Sequence, residues 1–278
     1  MRFAYQDDVS VREEVDPLKI CYNKFVLMKN LRDTRVRVFS VLILLWLVAW
    51  WREGTLDIFL YPLLSILLFA LLDVGYTYWI KKKWYYPFSS LVSGLIIGFL
   101  IHPSEGILTL LIAIILGWGS KQFIKLGGRH IFNPAAFGAV TSTLIMGTDI
   151  SWWAVAPGSI SILLTLFVLP TLYKLKRWHL PIIFLIGYFL FFLIIRGVAS
   201  TISLTLDGTV FFFSFVMLTE PMTTIIKSWW NYGFSLIVLG ILIFLYLTKI
   251  SFTDPLLLAL LATNLLGSLL SKKSQLAT

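Results

Sequence analysis

The sequence predicts an all-α integral membrane protein of about ten transmembrane helices, and three observations predict it. Of 278 residues, 58% are hydrophobic and only 13% charged, with a mean hydropathy of +0.87, whereas a soluble domain carries about 25% charged residues. The apolar residues fall in runs bounded by charges and turn residues, several of them near the ~20 residues that cross a bilayer. The basic residues concentrate in alternate loops between those runs. The net charge of +9 is therefore a topology signal. It is not the footprint of a nucleic-acid-binding protein, which gathers its cations on one solvated face. The single cysteine, Cys21, excludes an intrachain disulfide and a cysteine-ligated metal or iron–sulfur centre. No His/Cys spacing suits zinc.

The runs place spans near 36–51, 56–80, 87–101, 106–123, 134–147, 157–173, 180–195, 208–219, 232–248 and 255–271. Residues 1–35 form an expected N-terminal tail, without the n-region, apolar core and cleavage site of a signal peptide. Residues 272–278 form a C-terminal tail. Placing both termini in the cytoplasm puts every Lys and Arg inside except Arg52, Arg196 and Lys249, which follows the positive-inside rule. The expected location is a multi-pass protein of the cytoplasmic (inner) membrane. Pairs of tryptophans, Trp50 and Trp51, Trp152 and Trp153, and Trp229 and Trp230, flank spans and are expected as interfacial belts.

An internal repeat runs through the single transmembrane domain, 36–271. Pro62 pairs with Pro181, Pro103 with Pro221 and Pro134 with Pro255, each pair about 120 residues apart and in conserved order. Five spans reverse the direction of the chain, so the two units, 36–147 and 157–271, are expected as inverted repeats. The site then lies at their interface, on short or interrupted helices. The fifth span, after Pro134, and the eighth, after the "DGT" turn at Asp207, both fall short of ~20 residues. They are expected as short, proline-started helices near the midplane, buried where protein or a polar cavity satisfies the backbone.

Two polar stretches interrupt the apolar sequence. In "KLGGRHIFNPAAFGAV", Lys125–Val140, Gly127 and Gly128 permit positive φ, Asn133 suits an N-cap and Pro134 suits the first helical position. Asn133 reads either as a plain cap or as a ligand group. His130 reads as a polar loop residue, a proton carrier or a cofactor contact. In "VMLTEPMTTI", Thr219, Glu220, Thr223 and Thr224 gather a carboxylate and three hydroxyls around Pro221. Glu220 is either a solvated loop carboxylate or an ion, proton or ligand site at membrane depth. Asp73, inside the second span, either snorkels toward Lys81–Lys83 or serves an ion path.

"GGRHIFNPAAFG" resembles the loop and helix start of the D subunit of Rnf-type ion-translocating ferredoxin:NAD oxidoreductases and of the B subunit of the Na+-translocating NADH:quinone reductase. "FFFSFVMLTEPMTT" resembles their "TDP" segment with Glu220 in the Asp position, and "SSLVSGLIIGFLI" resembles their third span. The likeness extends over nearly the whole chain. It implies a non-autonomous membrane subunit of a translocase, working with other subunits. Such a subunit binds FMN or riboflavin and couples electron transfer to Na+ or H+ movement. In that picture Asn133, His130, Thr219, Thr223 and Thr224 contact the flavin, Ser93 and Gly94 allow close approach, and Glu220 and Asp73 serve ion or proton coupling. Family members with covalent FMN carry it on the Thr of a Ser-Gly-Ala-Thr tetrapeptide. None occurs here; the corresponding "GTDISWWAVAPGS" and the "LDGTV" around Thr209 do not replace it. Flavin, where bound, is expected to be noncovalent. The same architecture also resembles urea-channel-like transporters of a small polar solute or ion, the alternative without a redox cofactor.

Overall fold

The computed structural model describes residues 34–155, 159–223, 230–250 and 252–276. The expected tail up to residue 33, with Cys21, lies outside the described residues, as do Thr224 and Trp229. The first half comprises α1 (Thr34–Glu53), α2 (Leu56–Lys81), α3 (Phe88–Leu100), α4 (Ile107–Phe123) and α5 (Pro134–Met146). The second comprises α6 (Ser159–Leu166), α7 (Leu169–Lys174), α8 (His179–Arg196), α9 (Val198–Thr205), α10 (Gly208–Phe212), α11 (Trp230–Thr248) and α12 (Pro255–Leu276). A π-helical stretch, Phe213–Met217, extends α10.

Helix thus occupies each expected position, and among the described residues one minimal hairpin supplies the strands. By length and composition, α1, α2 and α8 can cross a membrane. The pair formed by α9 and Gly208–Met217, bent by 52°, makes a fourth if counted as one span. Among the described residues, Phe88–Leu100, Ile107–Phe123, Pro134–Met146, Ser159–Lys174, Tyr232–Thr248 and Pro255–Leu270 are shorter apolar helical stretches of 10–17 residues. Helix α9 was not anticipated: "VASTISLT" mixes Ser and Thr with apolar residues and reads as a loop. Gly197 at φ 73° turns the chain out of α8, and α9 then packs back on it. Large apolar side chains line the outer faces, such as Leu60, Leu67 and Leu71 on α2 and Ile186, Leu190 and Ile194 on α8. Faces of this kind suit lipid.

Small residues set the helix packing, as expected where lipid offers no hydrophobic drive for helix association. On α4, a Cβ at Gly117 would come within 2.7 Å of the Pro134 carbonyl of α5. Gly138 of α5 lies as tightly against the Ala113 carbonyl of α4. Gly98 of α3 makes room for Pro62 inside α2, where a Cβ would sit 2.7 Å from the proline Cα. The halves meet through aromatic residues: Phe99 of α3 contacts Phe212 at 6.3 Å and Trp153 at 6.2 Å between ring centroids.

Trp152 and Trp153 are not belt residues. Both are buried; Trp152 donates its indole N–H to Asp254 at 2.7 Å, and Trp153 donates to the Gly98 carbonyl at 3.0 Å. Their apolar rings and single donors satisfy interior carbonyl and carboxylate groups instead of facing headgroups. Trp51, 81% exposed, does stand at the surface.

Candidate functional site

The hairpin before α5 forms as its glycines require. Lys125 pairs with His130 and Leu126 with Arg129, closed by Gly127 at φ 57° and Gly128 at φ 78°, a backbone that residues with a Cβ resist. Three residues on, the Asn133 side-chain oxygen accepts from the Ala136 N–H at 3.0 Å and Pro134 occupies the first turn. The cap reading of Asn133 is therefore realised. Its carboxamide NH2 makes no hydrogen bond among the described residues.

Asn133 borders a cavity of about 360 Å³. Helix α3 contributes Ser89, Val92, Ser93 and Ile96 to the cavity wall, one stripe at helical spacing. Helix α7 and its flanks contribute a second stripe, Val168, Thr171, Leu172 and Leu175. Phe215, Val216, Thr219 and Glu220 close the wall from the end of the π-helical stretch, and Arg35 lies at the start of α1. Both halves of the chain therefore build the cavity.

The geometry around Glu220 follows from how this helix ends. The helix ends at Met217 and the turn after it runs into Pro221, which has no N–H, so the carbonyls of that turn need other donors. Arg177 supplies them: its guanidinium donates to the carbonyls of Thr219 at 3.4 Å, Glu220 at 3.2 Å and Pro221 at 3.3 Å. Burial pushes the Arg177 guanidinium down to about 10; the Glu220 charge opposes that shift and Arg129 adds to it. The Thr219 hydroxyl donates back to the Phe215 carbonyl at 2.7 Å. The Glu220 carboxylate meets the His130 Nε2 at 3.2 Å and accepts from the Thr223 hydroxyl at 3.2 Å. Glu220 is 19% exposed and His130 5%. The carboxylate is thus neither sealed in the core nor a freely solvated loop group.

Of the residues singled out from sequence, Ser93, Asn133, Thr219 and Glu220 line the cavity, while His130 and Thr223 reach it through Glu220. Gly94 faces away, onto α2, where a Cβ would lie 2.8 Å from the Ser65 carbonyl. Asp73 belongs to a separate cluster. It does not snorkel toward Lys81; it is buried and pairs with Lys121 of α4 at 3.0 Å. Ser90, Tyr85 and Gln122 also donate to it. Lys121, expected among the loop cations, sits in the last turn of α4 and donates to Ser90 at 2.7 Å. Burial, together with the bond to the Asp73 carboxylate, pushes the Tyr85 phenol up to about 12. Among the described residues, no three His, Cys, Asp or Glu side chains gather as a metal site.

Arg177 and Thr171 were missed. In the sequence Arg177 is one charge of "KLKR" and Thr171 one hydroxyl in an apolar run; neither carries a signal that distinguishes it from its neighbours. No protein-family model matches this chain, and no curated protein matches it.

Proposed function

We propose that this chain is a membrane subunit of an ion-coupled, flavin-dependent electron-transfer complex of the Rnf and Na+-translocating NADH:quinone reductase type, binding FMN or riboflavin noncovalently in the cavity. The observation that carries this reading is the convergence of Ser93 and Asn133 from one half with Thr219 and Glu220 from the other on one cavity. These residues come from the three motifs that carry the resemblance. The volume lies at the low end of ligand pockets, which run from about 300 to 1,000 Å³. Apolar walls formed by Val92, Ile96, Leu172 and Val216 suit a flat ring.

A flavin in this cavity supplies the redox chemistry. The chain's own residues orient it and manage charge. The Asn133 NH2 offers a donor, Arg177 holds the 219–221 backbone in place, and Glu220 with His130 forms a titratable pair at the cavity wall, suited to a cation or proton. The architecture we propose is two inverted five-helix repeats. Twin caps support it: Asn133 accepts from Ala136 at 3.0 Å ahead of Pro134's helix, and Asp254 accepts from Leu257 at 2.9 Å ahead of Pro255's helix. In this reading both termini and the cavity mouth face the cytoplasm, and further subunits supply electrons.

The test is the visible spectrum of purified protein after gel filtration, followed by acid denaturation. A flavin spectrum that leaves entirely with the supernatant supports the reading. Colourless protein that also fails to bind added riboflavin overturns it and favours the urea-channel-like alternative.

A further inference from the structure

The connection from α2 to α3 carries positive charge that no carboxylate among the described residues answers. Helix α2 ends at Lys81, Lys82 and Lys83 follow, and all three are exposed. Between Asp73 and Glu105 the sequence holds no acidic residue, and Asp73 is buried and held by Lys121 at 3.0 Å. Ion pairs among the described residues involve Arg52, Lys121 and His130, and none reaches the lysine run. A helix C-terminus favours cations, but it does not favour the backbone found here. Lys82 caps α2 at φ 53°, a left-handed conformation that glycine adopts without strain. The chain therefore keeps a charged side chain where its backbone disfavours one. The Lys82 ammonium lies 5.8 Å from the centre of the Tyr78 ring, and that ring lies 4.6 Å from Trp84. Trp79 and Trp84, on either side of the lysines in sequence, are 72% and 74% exposed.

We propose that Lys81–Lys83 and the aromatic residues beside them form a binding site for an anionic phospholipid, with its phosphate at the lysines and an acyl chain along α2. Leu60, Leu67, Leu71 and Tyr78 are all exposed. Their spacings of seven, four and seven residues place them on one stripe of the helix. That stripe runs toward the lysines, so hydrocarbon contact, aromatic ring and cation follow one another in the order of a phospholipid's chain, glycerol and phosphate. Rings with an apolar body and a polar tip belong at the headgroup level. A zwitterionic headgroup carries its own cation and gains little from the run, whereas an anionic one is attracted by every lysine in it. The site lies outside the cavity, whose lining includes none of these residues, and does not depend on the flavin reading.

The test titrates the purified full chain, in a neutral detergent, with dioctanoyl-phosphatidylglycerol and with dioctanoyl-phosphatidylcholine, reading tryptophan fluorescence and melting temperature. The wild type binds the anionic lipid about tenfold or more tighter than the zwitterionic one. That preference disappears at about 1 M salt, where the Debye length is about 3 Å. Replacing all three lysines by glutamine removes it, while replacing them by arginine keeps it to within about threefold. Lys82→Gly separates binding from structure: glycine relaxes the left-handed cap, so the variant melts no lower than the wild type yet loses about fivefold in affinity for the anionic lipid. Equal affinity for the two lipids overturns the proposal. So does a preference that persists at high salt or in the glutamine variant, or a Lys82→Gly variant with wild-type affinity. Free glycerol phosphate, which has no acyl chain, leaves lipid binding unchanged; displacement of the lipid by it assigns the lysines to a soluble phosphate and overturns the lipid site.

Discussion

Replacing Arg177 by methionine tests whether the guanidinium holds the cavity wall. Its three hydrogen bonds measure 3.2 to 3.4 Å, at the weak end for a charged donor, about 1.5 kcal/mol each and about 4 to 5 kcal/mol together. Burial opposes them: depression from 12.5 to about 10 corresponds to about 3 to 4 kcal/mol, at about 1.4 kcal/mol per pH unit. The net contribution is then about 1 kcal/mol. Methionine matches the length of the aliphatic stem but takes the donor from the carbonyl of buried Thr219, adding about 1 kcal/mol or more. The variant is expected to lose about 2 kcal/mol, a fall in melting temperature of roughly 4 to 8 °C. Riboflavin affinity falls with it, because Thr219 and Glu220 are no longer held against the cavity. Arg177→Lys, which keeps the charge but not the fork, falls between the two. Far-UV circular dichroism melts in nanodiscs and riboflavin titration read both effects. A methionine variant that melts within about 1 °C of the wild type refutes the reasoning.

Glu220→Gln keeps the shape and removes the charge facing His130; it should melt within about 2 °C of the wild type while abolishing cation-dependent redox coupling in the reconstituted complex. Full coupling in that assay reduces the carboxylate to a structural group. Gly138→Ala drives a methyl into the Ala113 carbonyl of α4 and should cost about 1 to 3 kcal/mol, read as early loss of the monodisperse peak after heating; an unchanged profile means that α4 and α5 separate freely. The Tyr85 phenol, raised from 10.0 to about 12, favours the folded state fully below pH 10. That contribution disappears as pH rises through about 12. Ultraviolet titration should therefore show a late-ionising phenol that Tyr85→Phe removes, and a curve unchanged by that substitution contradicts the burial of Tyr85 against Asp73.

Local chemistry made much of the site legible in the sequence. Gly127 and Gly128 announce a positive-φ turn, and Asn133 followed by Pro134 announces a capped helix start, because these preferences act within a few residues. Apolar runs bounded by charge located the helices for the same reason. What a side chain meets from a distant helix was not legible. Asp73 and the lysines that follow it share one helix in the sequence, yet the packing of α2 on α3 and α4 turns it to Lys121, 48 residues away. Trp152 and Trp153 look like any belt pair until the halves close over them. Arg177 is one of several cations in a basic loop until the turn from Thr219 to Pro221 comes within its reach. The sequence by itself determined the membrane class, the helix positions and the polar residues available for a site. Tertiary structure decided which of them share a cavity, because burial and ion pairing depend on neighbours that only the packed chain supplies.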